Sequence, residues 1–414
     1  AELIAGYGFA VKNYENQVIT ADFSDQEKQL DILAHLDVVP VSPEDWTVTA
    51  PFEPVVQDGR IYGRGTADDK GPAIAALYAM RAIRECGISL SKNVRLILGA
   101  DEECGSGDLE YYYSVEQEAP MSFTPDAHYP VINLEKGHLY LEFSGEIPES
   151  SDRKITAFHA GTAANIVPAK SYAVLRGVEK SAVQAAIEQD ESGVAFTVRE
   201  QDGGLRIDAQ GLAAHASTPE VGNNAICGLV ELLTTLPLGE GAERETWKTI
   251  AELFPRRDTR GAALGVEMKD EISGALTLNL GILNFEGTTL TAKIDSRVPV
   301  CGGEENVTAV LKRTLTARGF RILGSHLSAP HYVPEDSELV QVLLSCYEDG
   351  FGKPGKALAI GGGTYVHHLQ NGVAFGCEME GVDNHMHGDD EFMELEVLFQ
   401  SAVVFADAIL RLCR

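Results

Sequence analysis

Short apolar runs that end in polar clusters mark the early part of the chain. Leu30-Asp31-Ile32-Leu33-Ala34-His35 reads as a buried strand that stops at a histidine. Residues 72–86 carry helical periodicity, with Ile74, Leu77, Tyr78 and Ile83 on one side and Pro72 in the first turn. Val94-Arg95-Leu96-Ile97-Leu98 predicts a second strand, which runs through Gly99-Ala100 into Asp101-Glu102-Glu103. Strands alternating with helices predict an α/β layer architecture, in which ligands bind beyond the strands' carboxyl ends. His35 and the acidic run both stand at such ends.

The pattern changes in the middle of the chain. From about residue 138 to about residue 330 it gives alternating strands such as Leu205-Arg206-Ile207-Asp208-Ala209, a helix over residues 219–233, and a strand from Thr291 to Val298 stopped by Pro299. This texture is α+β and predicts an inserted domain. The α/β texture then resumes with a strand over residues 372–376 and an apolar closing helix over residues 389–412, capped by Asp389 or Asp390. The expected division is 1–137 and 331–414 for one discontinuous domain and 138–330 for the insertion.

Composition narrows the function classes. A chain of 414 residues exceeds what one core usually supports, which favours two domains. Its 62 acidic against 33 basic side chains give a net charge of −29. Such a field disfavours nucleic acid and anionic membranes as partners and favours metal cations and small cationic ligands. The seven cysteines are scattered with no C-x-x-C pair, so neither a disulfide framework nor a thiolate zinc site is expected. No signal peptide or membrane-spanning run is legible, and the expected compartment is the cytoplasm. The start at Ala1, without an initiator Met, suggests a trimmed or incomplete N-terminus.

Four clusters combine metal-ligand residue types with strand ends or turns. In His35-Leu36-Asp37, strand alternation puts both polar side chains on one face, so Asp37 could orient the His35 ring. A lone histidine there is more often structural. In the glycine-rich run from Gly63 to Pro72, Asp68 and Asp69 precede a helix, where Asp69 could be an ordinary N-cap. Asp101-Glu102-Glu103 places three acids together, which raise each other's pKa unless a cation intervenes; a solvated loop is the plain alternative. His385-Met386-His387-Gly388-Asp389-Asp390-Glu391 could be polar surface.

Together, Ala34-His35-Leu36-Asp37-Val38-Val39-Pro40, the Gly63–Pro72 run and Asp101-Glu102-Glu103 resemble the co-catalytic zinc peptidase family of peptidase V, carnosinase, aminoacylase and succinyl-diaminopimelate desuccinylase. Ser122-Phe123-Thr124-Pro125-Asp126-Ala127, Glu135-Lys136-Gly137, Pro330-His331-Tyr332-Val333-Pro334, Gly361-Gly362-Gly363-Thr364-Tyr365 and Gly372-Val373-Ala374-Phe375-Gly376 favour its peptidase V-like dipeptidases. The resemblance implies an α/β catalytic domain with an inserted α+β lid. It also implies two zinc ions, with manganese or cobalt as alternatives, and hydrolysis of short peptides with a free amino end by a metal-bridging hydroxide. Asp68 would bridge both metals, His35 and Asp126 would complete one site, and Glu103 and His387 the other. Glu102 would be the general base, Asp37 the partner of His35, and Asp69 would follow a cis peptide that aims Asp68. His387 is preferred over His385 because Glu391 follows it at the family's distance. In the lid, His215 would donate to the oxyanion, although it could instead help to cap the helix predicted from Pro219, and Asn165 would contact substrate. Gly362, Thr364 and His367 would be further substrate contacts.

Three departures from the family pattern stand out. Where the family carries an arginine that pairs with the substrate's terminal carboxylate, this chain has Val366-His367-His368, so a bidentate clamp is lost. Cys104 follows Glu103, and a small buried residue is its expected role. The helical segment that usually precedes the region matching Gly6-Tyr7-Gly8-Phe9 is absent. The rival readings are an N-acyl-amino-acid deacylase or desuccinylase and a non-catalytic metal- or peptide-binding relative. A monomer is favoured over a dimer.

Overall fold

Parallel pairing at the centre of one sheet explains why its strands look apolar throughout. In this computed structural model, which describes residues 1–148, 152–201 and 203–414, the chain divides into two compact units. One is Ala1–Glu135 with His331–Arg414, the other Lys136–Pro330. Among the described residues, the first unit has a nine-stranded sheet ordered Ala10–Tyr14, Val18–Asp22, Asn93–Gly99, Lys28–His35, Met121–Thr124, Gly372–Ala374, Val131–Glu135 and His331–Tyr332. Ala357–Ile360 also pairs with Val131–Glu135. Lys28–His35 runs parallel to both Asn93–Gly99 and Met121–Thr124.

Helices cover both faces of such a sheet, so its strands need apolar side chains on both sides. Leu30, Ile32, Ala34, Val94, Leu96 and Leu98 enter the larger core with helices Lys70–Glu85, Glu338–Phe351 and Leu395–Cys413. Leu33 and Ile97 point the other way, to Leu109, Tyr112 and Tyr365. Each buried Leu or Ile contributes about 1.5–3 kcal/mol. Asp31 is the exception within its strand. Its carboxylate accepts from Arg95 Nε at 2.8 Å and Nη2 at 2.6 Å, both side chains buried. Losing one partner of such a pair costs about 3–5 kcal/mol.

Two helices of the first unit differ from expectation. Lys70–Glu85 buries Ala73, Ala75, Ala76, Leu77, Ala79, Met80 and Ile83, while Ile74 and Tyr78 are exposed. The small alanine face lets the helix pack closely on Leu395–Cys413, and Tyr78 instead meets Tyr7 edge-on at the surface. The closing helix starts at Leu395 rather than near Asp389, because Phe392–Glu394 first pairs with strand Arg60–Tyr62. Asp390 caps nothing there; its carboxylate accepts from Thr47 N, Val48 N and the Thr47 hydroxyl. The strand at residues 372–376 ends at Ala374.

The second unit is α+β. An eight-stranded antiparallel sheet runs Ala195–Gln201, Gly204–Gln210, Lys170–Arg176, Lys154–Ala160, Thr277–Glu286, Thr289–Val298, Gly137–Glu146 and Arg321–Ser328, counted among the described residues. Its strands alternate: Leu205, Ile207 and Ala209 are buried while their neighbours are not. The helix expected over residues 219–233 is instead a short turn, Pro219–Val221, followed by Ala225–Thr235. Asn224 is the reason, since its side chain accepts from the N–H groups of Ile226 and Cys227 and starts the helix there. Among the described residues no helix is long and apolar enough to cross a membrane.

One surface contact of the first unit gives a pH test. Glu116 accepts from Lys28 Nζ at 2.8 Å and Tyr14 Oη at 2.7 Å. Lys28 first, then Tyr14, pulls its pKa down from an ordinary 4.5 to about 2. A lowered folded-state value adds stability above the ordinary value, and that stability is lost as pH falls through about 2. In urea titrations, wild type should therefore be more stable than Glu116→Gln at neutral pH. The gap should shrink steadily toward pH 2, and a constant gap would contradict the assignment.

Candidate metal centre

Parallel register brings the chemistry together. His35 pairs with Gly99 at the carboxyl ends of neighbouring strands, and Met121–Thr124 ends alongside. The chain leaving Gly99 forms the single turn Glu102–Cys104, and the chain leaving Thr124 reaches Asp126. Asp68 arrives from the glycine-rich loop before helix Lys70–Glu85, and the Asp68–Asp69 peptide is cis. His387 comes from the turn before strand Phe392–Glu394.

Asp68 is shared by two side-chain triads. Its Oδ1 lies 2.8 Å from His35 Nε2, which is 3.7 Å from Asp126 Oδ2. Its Oδ2 lies 2.8 Å from His387 Nε2, which is 3.3 Å from Glu103 Oε1. Within each triad, His35–Asp68–Asp126 and Asp68–Glu103–His387, the candidate ligand atoms lie within 4.8 Å of one another. His385 is in neither triad; its Nδ1 sits 2.9 Å from the Asp389 carbonyl.

The supporting contacts are specific. Asp37 Oδ1 is 3.3 Å from His35 Nδ1, and the same carboxylate accepts from the backbone N–H of Glu102 and Glu103. Asp69 stands at the N-cap position but makes no side-chain cap bond; it accepts from the His35 N–H at 3.0 Å instead. Cys104, expected to be buried, is exposed.

Burial and neighbouring charge shift the carboxylates and imidazoles of the centre in opposite directions. Burial first, then the charge of Asp126, pushes Glu102 up to about 8. Burial raises Asp126 to about 6 despite its contact with His35. Asp68 is held low in spite of burial, because both histidines bond to it. His387 rises to about 10 through Asp68 and then Glu103. Glu103 Oε1 is buried, and the His387 ring nitrogen at 3.3 Å faces it. Carboxylates converging on imidazole nitrogens in two such triads are what a pair of divalent cations would satisfy. The His and carboxylate donors, without thiolate, suit zinc and also manganese or cobalt.

Some supporting residues were not legible as such. Glu391, noted only for its spacing from His387, is fully buried and accepts from Arg64 Nη1 and from the N–H groups of Gly65, Ala67 and Asp68. A lone Arg inside a glycine-rich turn and an acid after a polar run were its only sequence signals. Glu135 likewise gathers three groups: Thr364 Oγ1 at 2.7 Å, Thr364 N at 3.3 Å and His367 Nδ1 at 2.9 Å. The His367 side chain is largely covered, and its Nε2 has no hydrogen-bond partner among the described residues. Gly362 lies in the bend between strand Ala357–Ile360 and Thr364.

In the second unit, Asn165 and His215 are both exposed and neighbours. Strand Ile166–Val167 pairs with Ala214–His215, and Ala216 N donates to the Asn165 carbonyl. His215 Nδ1 lies 2.7 Å from Ser217 Oγ. His215 therefore sits on a short strand, and its Nδ1 also accepts from the N–H of Ser217 at 3.3 Å, two residues before the turn at Pro219.

Comparison with known proteins follows this geometry. Residues 32–411 match Peptidase family M20/M25/M40. The chain is 34% identical over 420 residues to the Beta-Ala-Xaa dipeptidase of Lactobacillus delbrueckii subsp. lactis, covering 98% of this chain and 87% of that protein. Among solved structures, aminoacylhistidine dipeptidase from Vibrio alginolyticus aligns with a TM-score of 0.62 at 14% identity, over 100% of this chain and 91% of that one. Human carnosine dipeptidase 1 aligns at 0.58 and 18%, over 100% and 88%. These two structural matches establish the likeness of fold.

Proposed function

The chain belongs to Peptidase family M20/M25/M40, and on that premise we propose that it is a metal-dependent dipeptidase acting on short peptides with a free amino end. The observation that carries this reading is one carboxylate, Asp68, with an oxygen turned to each of two histidine–carboxylate triads, beside Glu102, an acid outside both. The dipeptidase name of a relative at 34% identity supports the substrate class.

His35, Asp68 and Asp126 would hold one ion, and Asp68, Glu103 and His387 the other; zinc, manganese or cobalt would suit. Bound there, the ions polarise the scissile carbonyl and acidify water. Glu102 takes a proton from the attacking water and delivers it to the leaving amine as the C–N bond breaks. Asp37 fixes the His35 ring and, through two backbone N–H groups, the turn that carries Glu102. His215 is proposed to donate to the oxyanion, and Asn165, Gly362, Thr364 and His367 to contact the substrate. We also propose a cytoplasmic location, which seven cysteines free of disulfides support, and a monomer, which sedimentation at the mass of one chain would check.

A second reading, deacylation of N-acyl amino acids, is favoured by His367, which is held by Glu135 where the family resemblance calls for an arginine. One panel separates the two. Protein stripped by a chelator should be inactive and should regain cleavage of dipeptides when reloaded with zinc, manganese or cobalt. Cleavage of acyl-amino acids alone would keep the mechanism and overturn the dipeptidase reading. Silence on the whole panel would remove both.

A further inference from the structure

Arg64 and Glu391 form a buried ion pair that touches two of the three segments carrying the second triad. Glu391 is fully buried, and Arg64 is 6% exposed. Arg64 Nη1 donates to Glu391 Oε2 at 2.6 Å, while its Nη2 donates to the carbonyl of Gly388, the residue after His387, at 2.9 Å. Glu391 Oε1 accepts from Ala67 N at 2.8 Å and from Asp68 N at 3.2 Å, and Gly65 N contributes at 3.1 Å. The backbone agrees with this: Gly63 N donates to the Glu391 carbonyl. Gly65, at φ 86, sits where a side chain would press on Lys70 and Val38.

These contacts do two things at once. The turn leading to Asp68 leaves several N–H groups with no helix or strand partner, and Glu391 satisfies them, fixing the direction from which Asp68 leaves the backbone. The guanidinium neutralises that buried carboxylate and, with its other nitrogen, grips the turn of His387. Two ligands far apart in sequence are thus tied through one ion pair. By contrast, neither Arg64 nor Glu391 has a hydrogen bond to His35 or Asp126 among the contacts described.

We propose that Arg64 and Glu391 are positioning residues that act chiefly on the affinity of the ion held by Asp68, Glu103 and His387, where they hold two of the three ligands, and less on the His35 ion, which they reach only through the shared Asp68. This rests on the two-metal reading above. The effect expected is of the size that outer partners of metal ligands show, about 10–100-fold in affinity.

The test is titration of chelator-stripped protein with zinc, followed by calorimetry and by competition with a chromophoric chelator. Wild type should take two ions. E391Q keeps the shape but replaces one acceptor oxygen with a donor, so it should hold the second ion about 10–100-fold more weakly and the His35 ion with a clearly smaller loss. R64K, which retains charge but cannot span Glu391 and Gly388 together, should show the same selective loss to a smaller degree. D31N breaks a comparable buried pair, and should lower the melting temperature while binding both ions as wild type does. Folded E391Q with two wild-type affinities would overturn the proposal. So would equal weakening of both ions in step with lost thermal stability. If E391Q yields no folded protein, R64K decides by the same criteria. A wild-type protein that takes only one ion would overturn the two-metal reading and the clasp together.

Discussion

Glu102→Gln is expected to bind both metal ions as wild type does and to lose about 10²–10⁴-fold in kcat. Glu102 and Glu103 are adjacent on one turn, yet only Glu103 belongs to a triad. Glu102 is set apart by its surroundings. Burial first, then Asp126, pushes it up to about 8, so it holds a proton far more readily than a solvated carboxylate. Bound cations act in the opposite direction, and a base between these influences suits proton transfer near neutrality. Gln preserves volume and one acceptor but cannot carry the proton. Metal content by mass spectrometry and steady-state kinetics on the same sample give the answer. Loss of an ion along with activity would make Glu102 a ligand, and full activity would remove it from the mechanism.

Asp68→Asn should have the broader effect, weakening both ions rather than one. Each Asp68 oxygen is 2.8 Å from a different histidine, so no other side chain of the two triads serves both. Removing its charge also leaves His35 and His387 without their shared partner. Several kcal/mol of transition-state stabilisation depend on the metals, which at 1.36 kcal/mol per decade is roughly 10³-fold or more in rate. His387→Ala is the comparison, since it touches one triad and should weaken one ion. Retention of one ion at wild-type affinity in Asp68→Asn would show that the carboxylate does not bridge.

What could be read from the sequence follows from how local each feature is. Leu30–His35 and Val94–Leu98 were legible as strands because burial on both faces leaves continuous apolar runs. Their ends pointed to His35 and the acids after Gly99 because parallel strands deliver ligands there. The helix at Lys70–Glu85 was legible, but not its buried side. Alanines carry little hydrophobic signal, while the larger Ile74 and Tyr78 mislead when close packing selects the small face. Asp389 and Asp390 looked like caps since nothing local reveals that Asp390 binds the distant Thr47. Glu391 with Arg64 and Glu135 with His367 were hidden for the same reason. Each is a long-range pair, and although His367 stood out against the family pattern, nothing local to either member shows its partner.

The point where the second unit leaves the first also bears on how this chain could arise and be rebuilt. Glu135 and His331 are register partners on adjoining antiparallel strands, so the whole of Lys136–Pro330 departs and returns at one backbone pairing. The host sheet therefore meets the insertion as it would meet the loop of a hairpin. Each doubling of a loop's length costs only about 0.6 kcal/mol in closure entropy, so a guest of almost any size is thermodynamically tolerable there. Every strand of the host sheet lies outside the inserted segment. A graft at this junction could exchange one guest for another without removing a strand from the sheet that carries the metal ligands.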